Sequence, residues 1–84
     1  MSDEQTVRFD NLRSHDVQLN VEPWAMSYSV PPDGVVKIDF TPQGDYQWEV
    51  ATLQDGSVTI GVYASRISIT LDGRVMFDFP GDRA

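Results

Sequence analysis

Apolar and polar side chains alternate one by one along most of this chain. Val7 and Phe9 show the alternation, followed by Val17, Leu19 and Val21, and by Val36, Ile38 and Phe40. It resumes at Tyr46, Trp48 and Val50, at Val58, Ile60 and Val62, at Ile67, Ile69 and Leu71, and at Val75, Phe77 and Phe79. A period of two gathers the apolar residues on one face of a strand and predicts antiparallel strands buried on that face. No long stretch carries the i, i+3, i+4 spacing of a helix, so the predicted fold is all-β.

Three Asp-Gly dipeptides punctuate the pattern: Asp33-Gly34, Asp55-Gly56 and Asp72-Gly73. Such pairs mark hairpin turns, because Asp caps its own turn and Gly accepts positive φ. Loop length then follows from the faces, since a slip of one residue inverts a strand. A three-residue loop Gln54-Asp55-Gly56 pairs Val50 with Ile60 and Trp48 with Val62. A loop Leu71-Asp72-Gly73 pairs Ile69 with Val75 and Ile67 with Phe77. A five-residue loop over 31–35 pairs Val30 with Val36 and Tyr28 with Ile38. Asn11 to His15 and Thr41 to Asp45 form the other connections. Between Val62 and Ile67 the apolar phase changes from even to odd positions, which predicts a turn lacking Gly and Pro in preference to a bulge in one long strand. The sum is a single antiparallel β-sandwich of seven or eight short strands over residues 1–84, with 1–5 and 80–84 frayed.

Composition narrows the chemistry. The chain has 84 residues and no cysteine, which excludes disulfides, thiolate metal sites and cysteine nucleophiles. Thirteen acidic side chains against six basic ones give a net charge of −7. That charge, without a Lys/Arg cluster, argues against nucleic acid and anionic membrane as partners. The acidic start Met-Ser-Asp-Glu-Gln has no apolar h-region, and no run approaches the ~20 apolar residues of a membrane span. A cytoplasmic protein is the expectation.

The segment Val21-Glu22-Pro23-Trp24-Ala25-Met26 breaks the alternation. Pro23 cannot donate to a ladder, so the strand stops, bulges or lies at an edge here. Trp24 either folds over one end of the core, with Glu22 bonding a backbone amide, or joins Tyr28 as an exposed stacking platform. Trp48 and Tyr46 fall on the buried face of their strand and read as core, whereas Tyr63 falls on the opposite face. Glu22-Pro23-Trp24, Tyr28 and Pro32-Asp33-Gly34 resemble a pattern in short, uncharacterised bacterial β-sandwich proteins. That run reads Glu-Pro-Trp-Gly, then Tyr, then Pro and Gly. The resemblance implies a fold and a bacterial origin but no activity, and Ala25 stands here in place of the Gly. The strand pattern is also similar, in topology alone, to cupredoxin-like Greek-key sandwiches. A blue-copper site needs two His and a Cys, and with His15 as the one histidine no copper or other cofactor is expected.

His15 lies in a connection beside Asp16, which favours its charged form over a poised base. If every connection reverses the chain, Asp33, Asp55 and Asp72 share one end with His15 and Asp16 as an oxygen-rich rim. They are weak Ca²⁺ candidates, since no Asp-x-Asp-x-Asp loop or bidentate Glu accompanies them. The expected function is a non-catalytic binding or assembly module. It would engage a protein partner, or a second copy of itself, through a sheet edge or the Trp24 corner, with Glu22, Trp24 and Tyr28 as candidate binding residues. The alternatives are a small metal-dependent or hydrolytic enzyme using His15, Asp16 and the turn carboxylates, and a sugar or small-ligand domain stacking on Trp24 and Tyr28.

Overall fold

The computed structural model describes residues 4–45 and 48–80 of the chain. Among them, eight strands and no helix form two four-stranded sheets. The strands are β1 (Gln5–Asp10), β2 (Val17–Glu22), β3 (Met26–Val30), β4 (Val35–Pro42), β5 (Glu49–Thr52), β6 (Val58–Gly61), β7 (Ala64–Leu71) and β8 (Arg74–Phe79). One sheet has the order β1-β4-β7-β8 and the other β3-β2-β6-β5. The predicted all-β sandwich is the observed fold. Among the described residues, no helix is long and apolar enough to cross a membrane.

The alternating residues meet between the sheets. Val7, Val17, Leu19, Val21, Val36, Ile38, Phe40, Val58, Ile60, Val62, Ile67 and Ile69 are all buried, together with Val30 and Ala64. Phe9, Trp24, Met26, Tyr28, Leu71 and Phe77 pack around this cluster as half-buried residues. Burying an aliphatic or aromatic side chain contributes ~1.5–3 kcal/mol, so this one layer supplies most of the drive to fold.

Every connection reverses the chain, and even-numbered strands therefore all run one way. β2 and β6 are both even and adjacent, so their pairing is parallel, with Leu19 opposite Val58 and Val21 opposite Ile60. All other pairs are antiparallel. This one parallel ladder departs from the all-antiparallel expectation. The step from Val62 to Ala64 is a turn, as expected, but it also carries the chain from one sheet to the other. It is held there by Gln43 N–H on Tyr63 O at 3.1 Å and Val62 N–H on Glu22 O at 2.8 Å.

The three Asp-Gly turns have three different outcomes. At Asp55-Gly56 the predicted register holds, with Val50 opposite Ile60. Gly56 N–H bonds Leu53 O, Leu53 N–H bonds Ser57 O, and Gly56 takes φ +89°, which is the three-residue loop with a glycine bulge. At Asp72-Gly73 the loop is shorter than expected. Leu71 pairs with Arg74, and both turn residues have positive φ (+49° and +84°), the type I′ geometry that suits strand twist. A bulge then restores the face, setting Ile69 opposite Phe77 and Ile67 opposite Phe79 instead of the expected Val75 and Phe77. Phe77 and Phe79 thus keep the expected face through a bulge where a longer loop was expected, but Val75, expected inward, pairs with Thr70 and is exposed.

The 31–35 segment is no hairpin at all. β3 and β4 belong to different sheets, so Val30 does not pair with Val36 nor Tyr28 with Ile38. Gly34 is required there for space, because a Cβ would lie 2.9 Å from Pro31 O and from Val30 Cγ1. The arch is tied to Asn11, whose backbone exchanges bonds with Gly34 O (3.0 Å) and Asp33 N–H (2.8 Å). The Asn11 side chain is 1% exposed. Its amide donates to His15 O and Val30 O, and its oxygen accepts from Arg13 N–H, each at 2.9 Å. At the N-terminus Gln5, expected to fray, is paired with Phe40. Residues 1–3 and 81–84 of the expected frayed segments lie outside the described residues, as does Tyr46.

Candidate functional site

The hairpin between β2 and β3 carries Glu22, Trp24 and Tyr28. Pro23 follows a cis peptide bond, and Ala25 takes φ +58°. That left-handed conformation is the one in which a glycine is at ease, and it costs an alanine ~1–2 kcal/mol. The turn aims Trp24 inward. Its indole N–H donates to Val62 O at 2.9 Å, and its ring sits 5.2 Å from Phe79 and 5.9 Å from Phe77, tilted against both. Trp24 is thus half-buried and ties the β2–β3 hairpin to β8 and to the Val62 crossover. Tyr28 is also half-buried, and its hydroxyl is buried with no hydrogen-bond partner. Burial raises its pKa, since the phenolate is less well solvated there. Glu22 is exposed, and it is the backbone carbonyl of this residue, not its carboxylate, that bonds Val62. The corner is a plug with one exposed carboxylate beside it.

At the opposite end lie the loops 11–16, 31–34, 53–57 and 72–73. His15, Asp16 and Asp55 line one shallow cleft of about 250 Å³ with Arg13, Gln18 and Ser57. The structure therefore brings these three together, whereas Asp33 and Asp72 do not line that cleft. The turn carboxylates have local work. Asp55 Oδ1 accepts from Ser57 Oγ at 2.6 Å and from Ser57 N–H at 2.9 Å, bonds that hold its pKa below the usual carboxylate value. Asp72 Oδ1 accepts from Val35 N–H at 2.9 Å. Asp16 Oδ2 accepts from Ser29 Oγ at 3.3 Å. Among the described residues, no three His, Cys, Asp or Glu side chains come together as a metal site.

The remaining candidate is a sheet edge, and the described residues form four of them: β1, β8, β3 and β5. An edge strand exposes unpaired N–H and C=O groups, and proteins guard it with charge, bulges, proline or shortness. β1 carries the Arg8–Asp10 ion pair (2.8 Å). β8 has a bulge, charged Arg74 and Asp78, and Pro80 at its end. β3 runs between Pro23 and Pro31. β5 has Glu49 and its brevity, nothing more.

All four residues of β5 are exposed. Val50 shares a face with Ile60 and so points inward, yet it is 51% exposed. The opposite sheet does not cover it. Trp48, expected in the core and paired with Val62, is 41% exposed, and the described strand begins only at Glu49. Leu53 is exposed at the other end of the strand. Leu53 bonds Ser57 across the hairpin, so by antiparallel alternation Ala51 and Glu49 also bond inward. The N–H and C=O of Val50 and Thr52 then face away from β6, into solvent.

Reading the sequence placed Trp48 in the core because its parity was right. One signal pointed the other way: Trp48, Val50, Ala51 and Leu53 put apolar residues on both parities, unlike the clean alternation elsewhere. Comparison with protein-family models, curated proteins and solved structures found no match for this chain.

Proposed function

We propose that the chain is a small non-catalytic binding module that takes up an extended segment of another protein as an added strand beside β5. One observation carries this reading. β5 is a short edge guarded by charge at Glu49 alone, and its inward-facing Val50 is left half exposed next to Trp48. Strand addition gains backbone hydrogen bonds at such an edge and covers exactly this kind of apolar strip. The Trp24 corner supports the reading indirectly, because its ring and N–H already serve the fold.

Panning a random peptide library against the immobilised full chain tests it. Selected peptides are expected to shift the Val50 and Thr52 amides in NMR spectra. Thr52→Pro should abolish their binding while leaving the fold intact, since it removes an outward N–H and no ladder bond. Peptides that instead shift residues of the His15–Asp55 cleft or the Trp24 corner would overturn the reading.

A further inference from the structure

Resting on that reading, we infer that the segment taken up alternates apolar residues with lysine or arginine, the apolar side chains lying beside Val50 and a cation beside Glu49. The charge distribution carries this. The strands of the β5 sheet contain no lysine or arginine, and their charged residues are Glu22 and Glu49 alone. The strands of the other sheet hold Arg8, Lys37, Arg66 and Arg74. The connection entering β5 adds Asp45. Arg13 lies against Gly56, at the loop beyond the far end of the strand.

Geometry sets the alternation. On an added strand, side chains in register with Val50 point toward the uncovered inner face and meet apolar surface there. Their neighbours point to the outer face, where they meet Glu49, Ala51 and Leu53. Glu49 stands opposite Gly61, which has no side chain, and the two border a depression of about 100 Å³ with Ala51 and Thr59. A lysine or arginine stem can lie over that depression and bring its charge to the Glu49 carboxylate. A second copy of the chain is the poorer occupant: it would bring the same β5 edge and another net charge of −7 to the interface.

The test uses two short capped peptides, one alternating valine with lysine and the other valine with glutamate, added to the isotope-labelled full chain. The lysine peptide is expected to shift the Val50 and Thr52 amides and slow their hydrogen exchange, with affinity falling as salt rises. The glutamate peptide should bind roughly two- to fivefold more weakly, the size of a cross-strand charge effect. Glu49→Lys should reverse that order. Equal binding of both peptides at β5 would overturn the basic occupant and leave the edge reading standing. If neither peptide perturbs β5, both fail. Light scattering that shows a dimer, with the Val50 and Thr52 amides already protected, would make the occupant a second copy and overturn the inference.

Discussion

The two tryptophans of this chain end in opposite surroundings, one folded over the core and the other left open to solvent. Trp24 follows a proline where the strand pattern breaks, yet it is half-buried, bonded through its indole N–H and packed on Phe77 and Phe79. Trp48 sits in good alternation, yet it is exposed beside an edge strand. Periodicity tells which face a residue shares. It does not tell whether another sheet lies over that face. At the Trp24 corner a turn folds an aromatic over the rim of the sandwich. At β5 the inner face extends past its cover, and the result is an apolar strip open to solvent.

The largest effect that could break this comparison is deletion of each ring in turn. Trp24→Ala should destabilise the fold by about 3 kcal/mol, at the lower end for a large aromatic because the ring is only half-buried. Trp48→Ala should change stability by about 0.5 kcal/mol or less, as for surface sites. Urea denaturation measures both, and equal losses would end the distinction. Trp24→Phe separates packing from hydrogen bonding. It retains much of the ring contact but leaves Val62 O without the indole donor, for a loss of about 1–2 kcal/mol.

Ala25→Gly acts in the other direction. Relief of the left-handed alanine, less the added chain entropy of glycine, should raise stability by about 0.5–1 kcal/mol in the same titration. Tyr28→Phe is the mildest change, neutral or stabilising by up to about 1 kcal/mol, because it removes a buried hydroxyl that has no partner. It also has a pH signature. The Tyr28 pKa is raised in the folded state, so above the ordinary tyrosine pKa the unfolded chain loses its proton first. The wild type should therefore lose stability as pH climbs beyond that value, and Tyr28→Phe should flatten this alkaline slope. Asp55 behaves oppositely. Its folded pKa is lowered, so its contribution is present above the ordinary carboxylate pKa and disappears as pH falls through the folded value. Asp55→Asn should remove that part of the acid limb.

The candidate site was less legible than the fold for a definite reason. An edge near Pro23 was expected, and β3 is one; β1 and β8 are edges as well. β5 was not expected among them, since Trp48 and Val50 match the core pattern by parity. The bracket at Asn11 was equally hidden. A buried asparagine that bonds Val30 O across the fold has no local signature distinguishing it from a loop asparagine.

What the sequence by itself determined is local: the all-β class, the buried parity of most strands, the register at Asp55-Gly56 and the end of the molecule where the Asp-Gly turns lie. These follow from a period of two and from turn chemistry, both properties of neighbouring residues. Tertiary structure alone decided which sheet each strand joins, that 31–35 is an arch and not a hairpin, that β2 and β6 run parallel, and that a bulge in β8 corrects its phase. It also decided which inner faces are covered. Those outcomes depend on how two twisted layers stack and where one ends short of the other, and residues far apart in the chain settle that together.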